Sequence, residues 1–344
     1  MSKKSFVSIS ALLGLACVYG FIWPFHEGKF ELADKPKNNS EKSLEEALLE
    51  LGDDKAIHYL GAFDPDSAKM GEEMVKFGRI QDGSNKRISK FFVCTDCHNI
   101  QPESADPGDE SPEAVLEYGM QNDVPFLPAS TFYGMYNKKH WYNGDYDKKY
   151  GELVAPTRDT LENAIQLCAV QCSQGRPMER WEIRAVLHYY KSLEIQVSDL
   201  NFTDAELDEF ERLVASNKEQ ALEMLRTKYN PINDAKFAST DLPEIEGYQP
   251  ILAHGEYIYN AGCLHCHAVG REITNFDLMD DKLSYKFLAK RIHDHSTFAV
   301  PYITRKGTYA VSGRRQYMPQ YSLQKMSQEQ MLDLVAFIMS KAKE

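Results

Sequence analysis

The chain has 344 residues, 43% of them hydrophobic and 26% charged, with a formal net charge of -12. That length allows two domains with cores of their own, and the composition excludes collagenous and low-complexity chains. The acidic balance argues against nucleic acid and favours protein partners with a basic docking face.

Lys3 and Lys4 precede a nearly uncharged apolar run from Phe6 to Phe25. About twenty such residues in a helix span a hydrocarbon core. The lysines keep the N-terminus cytoplasmic, and no small-x-small cleavage site follows. Residues 1–25 therefore read as a transmembrane signal anchor. The remainder is expected on the periplasmic, outer face of the cytoplasmic membrane. Acylation at Cys17 is the alternative, although Gly14 stands where that signal prefers Leu and the residues after Cys17 stay apolar. Residues 26–60 form a charged tether with a helix-compatible stretch, Ser43-Leu44-Glu45-Glu46-Ala47-Leu48-Leu49.

Residues 61–198 carry the first of two matching pentapeptides. After Gly71 and Met74-Val75 comes Cys94-Thr95-Asp96-Cys97-His98. C-x-x-C-H is the attachment signature for c-type haem. The two thiols form thioethers to the haem vinyl carbons, and the adjacent imidazole turns onto the iron. A redox dithiol does not need that His, and a zinc site needs a second ligand pair nearby. The signature returns as Cys263-Leu264-His265-Cys266-His267. Two covalently bound haem c groups follow, held by Cys94, Cys97, Cys263 and Cys266, with His98 and His267 as axial ligands.

Beyond the first pentapeptide lies an acidic turn-rich loop over 101–110, then aromatics (Phe132-Tyr133-Gly134-Met135-Tyr136 and His140-Trp141-Tyr142). Cys168 and Cys172 follow, and Ile183, Val186, Leu187 and Tyr190 mark a closing helix. Residues 199–248 read as a helical connector, with Thr203 capping a helix over 204–214 and Ser216 capping one over 217–229. Residues 249–344 form the second haem domain. Its last helix shows Met331, Leu334, Val335 and Ile338 on one face, with Ser327 and Gln330 as a capping box.

Gly255-Glu256-Tyr257-Ile258-Tyr259 ahead of Cys263, and the helix after Ser327, resemble the crossing helices of class I cytochromes c. The resemblance implies an all-α fold, with two tandem class I cytochrome c domains behind the N-terminal transmembrane helix. In that family a Met on the loop before the last helix is the sixth iron ligand. Here this is Met318, 51 residues after His267, with His293 and His295 as rivals. The stretch Thr160-Leu161-Glu162 to Cys168, then Cys172-Ser173-Gln174-Gly175-Arg176-Pro177-Met178, resembles the N-terminal haem domain of dihaem thiosulfate dehydrogenases. There a Cys ligates the active-site haem ahead of an Asn-Gly-Arg-Pro-Leu-like turn. The resemblance places that ligand at Cys168, with Gln174 in place of the Asn and Cys172 without a counterpart. Cys168, Met178 and Cys172, in that order, are the candidates for the first iron's sixth ligand.

Three functions compete. The first is a membrane-anchored electron carrier in a periplasmic or respiratory chain, running from the first haem to the second because thiolate ligation lowers a potential and His/Met ligation raises it. The second is a thiosulfate dehydrogenase or tetrathionate reductase, with Cys168, Arg158 and Arg176 at its active site and Arg180 and Arg184 as further basic candidates. The third is a structural haem subunit of a larger respiratory complex. The insertions at 79–93 and 101–157 are expected around the first haem only, where any substrate chemistry would then reside.

Overall fold

Ser43 accepts a hydrogen bond from the Glu46 amide while Glu46 reaches back to the Ser43 amide, a capping box that starts helix α1 (Leu44–Glu50). The computed structural model describes residues 39, 41–81, 86–271, 273–274, 276–294, 296–308 and 317–344. The expected anchor over 1–25, with Cys17, lies outside them. No helix among the described residues is long and apolar enough to cross a membrane.

Helix α2 (Pro65–Phe77) begins under an Asp64 cap with Pro65 at its first position and stops at Gly78, whose φ of 70° suits glycine. Next come α3 (Pro112–Asn122), strand β1 (His140–Gly144) and the single turn α4 (Asp147–Tyr150). Helix α5 (Leu161–Leu167) runs on into a π-helical turn at Cys168–Cys172, and α6 (Arg180–Ser192) closes the first half. Then follow α7 (Asp204–Ser216), α8 (Lys218–Arg226) and strand β2 (Ile232–Ala235), which pairs in parallel with β1. Helix α9 (Leu252–Tyr257) passes through a second π-helical turn, Ile258–Cys263, into α10 (Leu264–His267). The chain ends with α11 (Lys282–Lys290), α12 (Val300–Lys306) and α13 (Gln328–Lys343), the last started by the Ser327–Gln330 capping box. The architecture is mostly helical, as expected.

The same helix crossing occurs twice. A Cβ placed on Gly71 of α2 would stand 2.1 Å from the carbonyl oxygen of Ala185 and 3.0 Å from Cβ of Tyr189, both on α6. A Cβ on Gly255 of α9 would stand 2.1 Å from the Asp333 carbonyl oxygen and 2.7 Å from Cβ of Phe337, both on α13. In each pair only glycine lets the backbones approach this closely. Around the first crossing Met74, Val75, Val186, Leu187 and Tyr190 are buried; around the second, Ile258, Tyr259, Met331, Leu334 and Ile338.

Three features depart from the sequence reading. Residues 43–51 do not extend as a tether: Leu44 and Leu48 are buried against Phe210 of α7 and Leu225 of α8 in a third core, each contributing about 1.5–3 kcal/mol by burial. The cap of α8 is Asn217, whose carboxamide accepts from the Gln220 amide; Ser216 lies inside α7 and its hydroxyl donates back to the Arg212 carbonyl. Only part of the insertion at 101–157 stays with the first half: Phe132, Met135 and Trp141 lie in the first core. Val115 and Leu116 of α3, with Phe126, belong to the second core, because Gly119 lets Tyr257 lie against α3 and the Tyr257 hydroxyl donates to the Val124 carbonyl.

Candidate functional site

Each pentapeptide forms a short helical turn whose cysteines and histidine are half-buried. At the first, the amides of Cys97 and His98 both donate to the Cys94 carbonyl, at 3.2 and 3.1 Å, and Asp96 accepts from the Val93 amide at 2.7 Å. At the second, the π-helical turn and α10 deliver Cys263, Cys266 and His267. All four cysteines carry free thiols. Burial pushes the thiols of Cys94, Cys263 and Cys266 up to about 12 and that of Cys97 well above its usual value. Thiols held neutral in this way are poorly suited to bind a metal as thiolates, which fits thioether formation.

The two histidines are oriented by the same device. His98 Nδ1 donates to the Ser130 carbonyl at 2.6 Å, and its ring stacks on Phe132 with centroids 4.3 Å apart. His267 Nδ1 donates to the Phe276 carbonyl at 2.7 Å. Because a carbonyl only accepts, Nδ1 carries the proton and Nε2 keeps the lone pair that a metal needs. Burial lowers the His98 pKa to about 4 and also depresses that of His267, so both rings are neutral at pH 7. Among the described residues no group of three or more His, Cys, Asp or Glu could hold a metal by itself. A single imidazole beside two thiols fits haem c, whose macrocycle would supply the remaining iron ligands.

A mostly apolar cavity opens beside His98, walled by Met74, Ile88, Phe132, Leu161, Val186 and Tyr190. Its rim includes Gln320, whose buried side-chain nitrogen has no partner among the described residues. An orphaned donor at an apolar cavity suits a group with a flat hydrophobic body and anionic edge substituents, as haem has. Haem c would thus be held here by Cys94, Cys97 and His98, with Gln320 available to a carboxylate.

Across this cavity the structure brings Cys168, Cys172 and Met178 together. The turn after Cys172 is locked. Gly175 has room for no side chain, since a Cβ would lie 2.5 Å from the Ile88 carbonyl oxygen and 2.7 Å from that of Ala169. Gln174 adopts φ of 54°, a left-handed conformation that Asn tolerates better than Gln. Cys172 Sγ lies 3.6 Å from the Tyr150 hydroxyl, which is 3.1 Å from that of Tyr317. The hydrogen bond from Cys168, helped by those hydroxyls and the nearby Lys149 charge, lowers the Cys172 pKa to about 6 despite burial. The same bond and burial raise that of Cys168. Cys172, the lowest-ranked candidate from sequence, is thus the sulfur best disposed to be a thiolate. A third methionine, Met135, also lines the cavity, but its sulfur accepts from Trp141 Nε1 at 3.2 Å.

Arg158 and Arg176, the basic residues singled out from sequence, are not among the cavity's lining residues. Arg176 makes a bidentate pair with Glu182, at 2.7 and 2.6 Å, and Arg158 pairs with Asp147. The cation beside the thiol pair is Lys149, whose ammonium lies 5.7 Å from the Tyr150 ring centroid and 5.4 Å from that of Tyr317. No motif marked Lys149 or Tyr150; α4 and the β1–β2 pairing put them there.

Met318 sits on the loop expected to carry it. Its amide donates to Thr308 Oγ1 at 2.6 Å and its carbonyl accepts from the Thr308 amide at 2.9 Å. Its neighbours Tyr317, Pro319 and Gln320 line the first cavity, while Tyr321 just beyond packs into the second core. His293 is exposed, and His295 lies outside the described residues. The pentapeptides themselves touch: Cys266 Sγ donates to the Asp96 carbonyl at 3.8 Å, and the His265 ring bonds to the Thr95 backbone.

Residues 250–338 match the family model described as cytochrome c oxidase, cbb3-type, subunit III. No curated protein and no solved structure matches the chain. The matched region covers the second pentapeptide, Met318 and most of α13. The chain therefore contains a c-type cytochrome domain, with covalently bound haem c, and is an electron-transfer haem protein.

Proposed function

We propose that the chain is a membrane-anchored dihaem cytochrome c, exposed on the outer face of the cytoplasmic membrane, that moves electrons from its first haem to its second. The contact between Thr95-Asp96 and His265-Cys266 carries this reading, because it makes neighbours of the two attachment points. Each haem, once bound, supplies a one-electron iron centre. The chain's own groups set the direction. A thiolate from Cys172 or Cys168 at the first site lowers the potential, whereas the thioether of Met318 at the second raises it. Ser130 and Phe276 hold the two proximal imidazoles in the ligating tautomer. Donor and acceptor are redox proteins, and a donor with a basic face suits the net charge of -12.

Haem content tests this directly. Intact-mass measurement and haem absorbance should find two haems in the wild type and one after Cys94→Ala with Cys97→Ala. Loss of both, or a wild type holding one, would sink the dihaem arrangement.

A second reading is favoured by the thiol pair on the first cavity wall: a sulfur-compound oxidoreductase joining two thiosulfates into tetrathionate, or the reverse, at the first haem. Thiosulfate oxidation assayed with ferricyanide, in wild type and Cys172→Ser, separates it from the carrier. Turnover that the variant abolishes promotes the enzyme; no turnover leaves a two-haem relay.

A further inference from the structure

Helix α11 presents two faces of different chemistry. Ser284, Tyr285 and Leu288 are buried, with Tyr285 packed on Tyr259 and Phe337. The opposite face shows Leu283, 75% exposed, and Phe287, 39% exposed, one turn apart. Lys282, Lys286 and Lys290 flank them and are exposed; among the described residues none of the three has an ion-pair partner.

This face leads straight to the second haem site. Phe276, whose carbonyl holds the His267 ring, packs on Phe287 with ring centroids 5.3 Å apart. The Arg291 guanidinium lies 4.8 Å from the Phe287 centroid and 5.8 Å from that of Phe298, and Phe298 is itself 64% exposed. Nearby carboxylates are engaged locally. Asp281 caps α11 through the Ser284 amide, Asp280 accepts from the Tyr285 hydroxyl, and Asp294 accepts from Ser296 beside Arg291; Asp277 is exposed at the edge. From 282 to 291 the chain has four basic residues and no acidic one, in a protein whose net charge is -12. An exposed apolar centre ringed by cations, two side chains from a proximal ligand, is a surface built for contact.

We infer that the α11 face, with Phe276, Phe287, Phe298 and its lysines, is the docking surface through which the second haem delivers electrons to an acidic redox protein. The inference rests on the proposed role of the second haem as the exit. Charge complementarity selects the partner's sign here against the sign that the whole chain would favour. The apolar centre excludes water between the partners, and the lysines steer the encounter.

The full, haem-loaded chain in detergent supplies the test. Reduced protein is mixed with an acidic plastocyanin, and separately with a basic cytochrome c, at low and high ionic strength. The plastocyanin reaction should slow as salt rises. The triple variant Lys282→Glu, Lys286→Glu, Lys290→Glu should slow it roughly tenfold or more at low salt, with haem content unchanged. Phe287→Ser should slow it at both ionic strengths. A wild type holding one haem overturns the reading on which the inference rests. Two haems with plastocyanin rates equal in wild type and triple variant overturn the docking surface alone. Binding to anionic vesicles that the triple variant loses, or a dimer that Phe287→Ser dissociates, overturns it in favour of a lipid surface or a second copy.

Discussion

The two halves repeat one helix crossing and then diverge at corresponding positions. Gly71 meets Ala185 and Tyr189, while Gly255 meets Asp333 and Phe337. Where the first closing helix has a small apolar residue, the second has a buried carboxylate, 1% exposed. Asp333 accepts from the Tyr248 hydroxyl and the Ile251 amide, both at 2.7 Å, and from His254 Nδ1 at 3.1 Å. The entry to α9 is thus cinched by one side chain. The first half spends its corresponding chain differently, through a 3.1 Å bond from the Asp64 amide to His188 Nδ1 and the locked turn at Gly175. A shared crossing leaves the neighbouring loops free to vary. The second half carries a methionine loop pinned to Thr308, the first two thiols beside Tyr150. What repeats is the glycine crossing beside each pentapeptide; what differs is the set of side chains that the later loops supply.

Ligand removal should break the comparison most sharply. Met318→Ala should abolish the weak methionine-to-iron band of the oxidised second haem and lower its potential by on the order of 100 mV, leaving the first haem's spectrum intact. An unchanged spectrum would transfer the assignment to His293 or His295. Cys172→Ala and Cys168→Ala, made separately, should alter only the first haem. If neither does, Met178 is its ligand and the contrast between the halves collapses.

The helix crossings respond in stability. Asp333→Ala should cost about 3 kcal/mol or more, since it strands three donors at a buried site, whereas Ala185→Gly should cost roughly 1 kcal/mol by helix propensity. Urea unfolding of both variants measures the difference, and equal losses would show that Asp333 is not the clamp described. Gly71→Ala and Gly255→Ala should each cost roughly 1–3 kcal/mol by overpacking.

The smallest effect probes the link between the halves. Tyr317→Phe removes one hydroxyl, a change of about 0.5–1.5 kcal/mol in hydrogen bonding. Although Tyr317 belongs to the second half by sequence, the variant should perturb the first haem's absorption spectrum through Tyr150 and Cys172. A change confined to the second haem would contradict the shared loop.

Much of this was legible in the chain. The cap at Thr203 and the capping box at Ser327 are local, and each starts a helix where its residues stand. The apolar face of α13 and the glycine ahead of Cys263 are likewise short-range patterns. Ser216 misled because its hydroxyl satisfies a helix carbonyl as readily as a cap, and only backbone geometry separates the two. Helix α3 was missed since its 101–110 prelude is turn-rich and its apolar residues are few. Lys149 escaped because nothing in the sequence brings a lysine beside cysteines nineteen and twenty-three positions away.

The sequence by itself marked the two pentapeptides as candidate haem attachment points, because that chemistry is written in five adjacent positions and a thioether needs no distant partner. It also marked where α13 begins and which glycine its partner helix presents, since a cap and a glycine act within a few residues. Only the tertiary structure decided which segments complete which half. Helix α3 crosses to the second core, Tyr317 crosses to the first cavity, and the two pentapeptides come into contact. Those outcomes depend on burying Val115, Phe126 and Tyr257 against one another. The hydrophobic effect that drives such burial is non-directional and carries no marker of sequence distance.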